Sequence, residues 1–256
     1  MSRPVSISSV FSHFDASADA ENLSRGLVFS PDNGTHPLCL LAVAELQTYL
    51  QGQPEWNHNF GLSGDIEKVI GKMFGVLVVR TKDDHTGYLW AFSGKIGGGN
   101  HYPSFVPPVF DGLQDGSFLN AGMRELTAIN QEINDLESLA VHPDKYRIQQ
   151  LKLYRKQHSL ALQQQLFSHY HFLNSAGVSK SLLELFNAAG YRQPPAGAGE
   201  CAAPKLLQYA YLHGMQPLAM TEFWWGLSPK SATWKHGRFY QPCREKCAPI
   251  LAHMLS

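Results

Sequence analysis

The last quarter of the chain constrains the fold most. Three of its four cysteines, Cys201, Cys243 and Cys247, fall there, within PPAGAGECAAPKLLQYA and TEFWWGLSPKSATWKHGRFYQPCREKCAPILAHML. Residues 202–212 carry apolar side chains at helical spacing (Leu206, Leu207, Ala210, Tyr211) directly after a Gly/Pro-rich loop. Cys243 follows Pro242, and residues 248–255 again read as a helix, with Pro249 tolerable only in its first turn. Between them PLAMTEFWW, residues 217–225, is an apolar run of strand length. The expected plan is helix, strand, helix, with a thiol where each helix begins. Backbone N–H groups and the helix dipole favour thiolate there, the form that binds metal.

Two readings of the thiols stand side by side. Cys243 and Cys247 are four apart, hence on one helical face if the helix has begun, and Cys201 comes from a distant segment. That is the pattern of a three-ligand catalytic zinc site with an open fourth position. Equally, free cysteines are among the most buried residues and are often inert core. His213, His236 and His253 are candidates for a fourth ligand, or ordinary surface histidines. Phe223, Trp224, Trp225, Trp234, Phe239 and Tyr240 crowd the same stretch and can either stack a base or fill a core.

The 256 residues suffice for one large domain or two small ones. Zero net charge gives no global nucleic-acid signal, so any basic site must be local. The opening residues have no apolar signal-like run, nothing approaches a membrane span, and four cysteines do not make a disulfide scaffold; a reducing cytoplasm is expected. Residues 1–34 read as an irregular lead-in, with a turn at Asp32-Asn33-Gly34. Residues 38–50 read as a helix opened by Pro37, with Cys39 in its core. Residues 71–80 and 88–95 form a hairpin across TKDDHTG. Gly97-Gly98-Gly99 lacks the ending of a phosphate-binding loop and reads as a flexible loop. The prolines of FVPPVF forbid a central strand.

From 122 to 176 the pattern turns helical. Leu126, Ile129, Ile133 and Leu136 recur at three and four, His142-Pro143-Asp144 breaks the run, and Asp144 can cap a second helix. That second helix carries Lys145, Arg147, Lys152, Arg155 and Lys156, interleaved with Tyr146 and Tyr154, and no Asp or Glu follows until after Leu183. Such a stripe suits an RNA backbone, and it equally suits a solvated face opposite an apolar one. Residues 179–189 read as a short helix capped by Ser179.

Two family resemblances rest on quoted residues. GECAAPKLL and PCREKC resemble the signature of zinc-dependent nucleoside and nucleotide deaminases, in which a ligand with a nearby Glu precedes a PCxxC pair. The resemblance implies Cys201, Cys243 and Cys247 as zinc ligands and an α-β-β-α-β-α layer. The chain departs from it in two places: Ala203 stands where the family has its Glu, and the cysteine pair is one residue wider. Glu200 and Glu222 are the nearby carboxylates that would take the proton-shuttling role. Separately, HPLCLLAVAELQTYL, HNFGL, GKMFGVLVV, FVPPVFDGL, PPAGAGECAAPKLLQYA and EFWWGLSP are similar to the N-terminal region of bacterial RluA-type pseudouridine synthases. The His-Arg-Leu-Asp run of their catalytic domain is absent from this chain. This resemblance implies an accessory role in RNA modification, with ribosomal or transfer RNA and a separate synthase catalytic domain as partners. The combined expectation is an α/β fold of deaminase-like order: lead-in 1–34, first half 35–121, helical-hairpin insertion 122–176, second half 177–256. Its function is RNA binding beside a pseudouridine synthase, with a zinc-dependent base hydrolase or a purely structural module as alternatives.

Overall fold

The computed structural model describes residues 10–15, 19–31, 35–54, 56, 58–62, 70–114, 116–138 and 144–256. The expected turn at Asp32-Asn33-Gly34 and the break at His142-Pro143 lie outside them. The chain divides into two compact units, Phe110–His171 and the segments on either side of it. No described helix is long and apolar enough to cross a membrane.

The larger unit is mixed α/β around a five-stranded antiparallel sheet of order β1-β3-β2-β6-β7. Its strands are β1 (Ser12–His13), β2 (Lys72–Arg80), β3 (Thr86–Phe92), β6 (Gln216–Trp225) and β7 (Phe239–Tyr240). β4 (His171–Leu173) and β5 (Ser179–Ser181) form a separate pair. β2 and β3 are the expected hairpin, closed by Thr81 N–H donating to the His85 carbonyl at 3.0 Å. β6 lies against the other side of β2, and the register slips between Val78 and Val79, where Pro217 has no N–H to offer.

β2 is buried almost throughout because helices cover both sheet faces. Alternate residues decide what meets what. Phe74 and Val76 join a core with Ala42, Val43 and Leu46 of α2 (Pro37–Gly52). Gly75 points the other way, where an added Cβ would stand 2.9 Å from the Ala202 Cβ and 3.0 Å from Leu206 Cδ1 of α6 (Ala202–Leu212). The missing side chain is what lets α6 rest directly on the central strand. α7 (Arg244–Met254) packs beside α6, so both thiol-bearing helices share one side of the sheet.

Several local expectations change. The lead-in is not wholly irregular: α1 (Ala20–Leu23) forms, and β1 pairs with the outer edge of β3. Gly97 and Gly98 are a tight turn, both at positive φ (55° and 86°), with Ile96 and Gly99 exchanging reciprocal 2.9 Å hydrogen bonds. Ser179 belongs to β5 and does not cap a helix. Ser181 does, in a capping box with Glu184, and α5 runs Leu182–Ala188. α7 runs Arg244–Met254 with Cys243 as its N-cap, so it opens at the thiol as expected, but Pro249 sits inside it and not in its first turn.

The smaller unit, Phe110–His171, begins earlier and ends sooner than 122–176. It pairs α3 (Phe118–Ser138) with α4 (Lys145–Ser168). Ile129 and Ile133 pack on Ile148 and Leu151, and the Asp144 carboxylate accepts from Arg147 N–H at 2.9 Å, capping α4 as expected.

Candidate metal centre

Cys201 is the N-cap of α6 and Cys243 the N-cap of α7. Cys247 lies one turn along α7, its N–H bonded to the Cys243 carbonyl at 3.1 Å. The packing of α6 against α7 brings the thiols together: Sγ–Sγ is 3.9 Å from Cys201 to Cys243 and 3.5 Å from Cys243 to Cys247. All three sulfurs lie within 4.8 Å of one another. Tetrahedral thiolates at about 2.3 Å from a shared ion stand about 3.8 Å apart, so the spacing suits a metal. The three thiols interact strongly as hydrogen-bond partners. Those contacts, with the backbone N–H groups of Lys246 and Cys247, hold the Cys243 thiol far below its ordinary range. The Cys243 contact pushes Cys201 up against an opposing contact from Cys247, the Cys201 and Cys243 contacts push Cys247 up, and burial raises both. Three sulfurs this close are a donor set that could hold a divalent cation, which would displace thiol protons on binding.

Among the described residues no fourth ligand joins the group. His213 stacks on Tyr209, His236 Nδ1 accepts from Gly226 N–H at 2.9 Å, and His253 Nε2 lies 3.1 Å from the Phe172 carbonyl. Cys39 is core: it is fully buried with Leu38, Val78 and Leu218, and burial pushes its thiol up to about 12.

The two candidate carboxylates separate cleanly. Glu222 lies on the α6 side of β6, opposite Gly75. It is 3% exposed, and Oε1 accepts from Ala203 N–H at 3.0 Å. Burial pushes its carboxyl up to about 7, with the negative charge of Cys243 adding to the rise and the Ala203 hydrogen bond opposing it. Glu222 lines a cavity of about 250 Å³ together with Cys201, Cys243, Trp224, Trp234 and Lys246. Glu200 does not line that cavity; its carboxylate lies 3.9 Å from Lys205. Of the aromatic residues, Phe223 and Trp225 are core, while Trp224 and Trp234 stack at 6.1 Å and 16° along the cavity.

Sequence reasoning missed Lys205 and Ser93. Lys205 is the single charged residue in the apolar run 202–212, which was the available signal. Ser93 lies past the end of β3, lines the cavity, and its Oγ accepts from Ala202 N–H at 3.2 Å; nothing in its neighbours marks it.

The basic stripe of α4 is partly consumed within its own unit. Arg147 donates to Glu132 through Nε at 3.0 Å and Nη2 at 2.7 Å, and Lys152 pairs with Glu137 at 2.7 Å. Lys145, Arg155 and Lys156 have no ion pair among the described residues. Comparison with known protein families, curated proteins and solved structures finds no match for this chain.

Proposed function

We propose that the chain is a zinc-dependent hydrolase of deaminase-like type, acting on an amino-bearing ring such as a base or nucleotide. One observation carries the reading: three convergent thiols have no fourth protein ligand among the described residues, and two of them, Cys201 and Cys243, line a cavity with a buried carboxylate. The order α2, β2, β3, α6, β6, α7, left when α1, α3, α4, α5 and the short strands are set aside, supports a deaminase-like layer. Zinc, when bound, supplies a Lewis acid that acidifies water at its open position.

The side chains do the rest. Glu222 takes over the proton-shuttling role that Ala203 cannot fill. It approaches from the strand, and Ala203 N–H fixes its orientation by holding Oε1. A carboxyl that holds and releases a proton near neutral pH suits both the base and the acid half of the reaction. Trp224 and Trp234 supply flat apolar surface for a ring. Purified protein lacking a polyhistidine tag should carry near-stoichiometric zinc and release ammonia from a panel of amino-bearing bases, nucleosides and nucleotides. Glu222→Gln should abolish release, by at least about a hundredfold, with zinc retained, and Glu200→Gln should keep most of it. Zinc-free protein, or Glu222→Gln turning over at the wild-type rate, overturns the reading.

A second reading, an RNA-binding accessory to an RluA-type pseudouridine synthase, draws on Lys145, Arg155 and Lys156, which have no ion pair among the described residues. It places any RNA-backbone contact on the smaller unit and is compatible with chemistry in the larger one.

A further inference from the structure

Lys205 is anomalous for a lysine: its side chain is 2% exposed, on a helix that is otherwise apolar or uncharged. Burying an ammonium is costly unless its donors and its charge are both answered. The donors are answered by the end of β3. Nζ donates to the Phe92 carbonyl at 3.0 Å and the Gly94 carbonyl at 3.4 Å, and stands 5.1 Å from the Phe92 ring centroid. The same short segment is held to the start of α6 twice more. Ser93 Oγ accepts from Ala202 N–H at 3.2 Å, and Gly94 N–H donates to the Glu200 carbonyl at 2.9 Å. Lys205 thus closes a ring of contacts around the residue that places Cys201.

The charge has a different counterpart. Glu200 lies 3.9 Å from Nζ but is partly exposed. Cys201, the N-cap of the same helix, lies one turn before Lys205. Three thiolates around a divalent cation leave one net negative charge, and Glu222 adds a second when ionised. In a site this enclosed that excess favours a cation nearby.

We infer that Lys205 is the positioning residue of the metal centre, holding the Cys201 end of α6 to the Phe92–Gly94 segment and offsetting the negative charge of a metal-bound thiolate set. The inference rests on the zinc reading above. Its test is zinc affinity, measured by competition with a chromogenic chelator on full-length wild type, Lys205→Gln, Lys205→Met and Lys205→Arg. The glutamine variant keeps donors for the two carbonyls but drops the charge; the arginine variant keeps the charge. Expected is zinc binding on the order of tenfold weaker in the glutamine and methionine variants, recovered largely by arginine. The metal-free unfolding temperature of the glutamine variant should stay close to wild type. Wild-type affinity in Lys205→Gln, or equal losses in all three variants, makes Lys205 a fold staple and overturns the inference alone. If none of the three variants folds, the residue likewise belongs to the fold and not to the centre. Failure of wild type to bind zinc overturns the zinc reading and this inference together.

Discussion

Cys39 and Cys247 are both buried thiols, 0% and 1% exposed, and burial disfavours thiolate at both, yet only Cys247 stands beside other sulfurs. Cys39 sits among Leu38, Val78 and Leu218, where burial alone disfavours thiolate. Cys247 is equally enclosed but shares its surroundings with two other sulfurs, an arrangement that a metal ligand needs and core packing does not. A serine substitution separates the two roles. Cys39→Ser puts a hydroxyl in an apolar site and should lower the unfolding free energy by about 1–3 kcal/mol while leaving zinc content unchanged. Cys247→Ser should lose zinc, and its unfolding temperature should no longer rise when zinc is added. Elemental analysis beside thermal melts checks both; zinc retained by Cys247→Ser would remove that residue from the ligand set. Gly75 acts at the same scale by subtraction. Any side chain there would press on Ala202, the neighbour of Cys201, so an absent Cβ helps set where a sulfur stands.

At the scale of elements, the readable parts were those whose signal is local. The α2 helix, the β2–β3 hairpin and β6 declared themselves through periodicity and turn residues, and Asp144 marked the start of α4. The start of α7 was legible at Cys243, but its passage through Pro249 was not, because a proline argues locally against a helix interior. Ser181 was missed as a cap because Ser179, two residues earlier, looks the same without the Glu184 reciprocal bond in view. The thiol cluster was legible as a spacing, but the choice between Glu200 and Glu222 was not. That choice depends on the face of β6 and on the gap at Gly75, which only the fold reveals. The basic stripe shows the same limit: five cations read from one helix lose two to carboxylates on its neighbour. If α4 binds RNA, replacing Lys145, Arg155 and Lys156 together should flatten the salt dependence by roughly one unit of log–log slope per lost contact. Replacing Arg147 and Lys152 should change the slope far less. A titration in which the first set binds RNA like wild type, or the two sets fall equally, makes the stripe a solvated face.

At the scale of the whole chain, the segment 110–171 interrupts a unit whose two halves are useless apart. β2 and β3 precede it, while β6 and all three clustered cysteines follow it, and β2 must pair with both β3 and β6 to complete the sheet. The sheet therefore closes a long loop, and the entropic cost of that closure grows only slowly with loop length. A shorter connection should be tolerated wherever it can span the gap. Among the described residues, no clustered cysteine, neither candidate carboxylate and no residue lining the thiol cavity comes from 110–171. Replacing that segment with a flexible Gly/Ser linker should leave near-stoichiometric zinc and a cooperative melt in the α/β unit. A strong chelator should then lower that melt in both the full chain and the shortened one, because a ligand bound only to the native state stabilises it by mass action. The contribution of α3 and α4 should be missing from the shortened chain's helical circular dichroism. If the shortened chain folds but holds no zinc, the hairpin is required to assemble the centre, and the division of labour between a metal-bearing unit and a cation-bearing one is wrong.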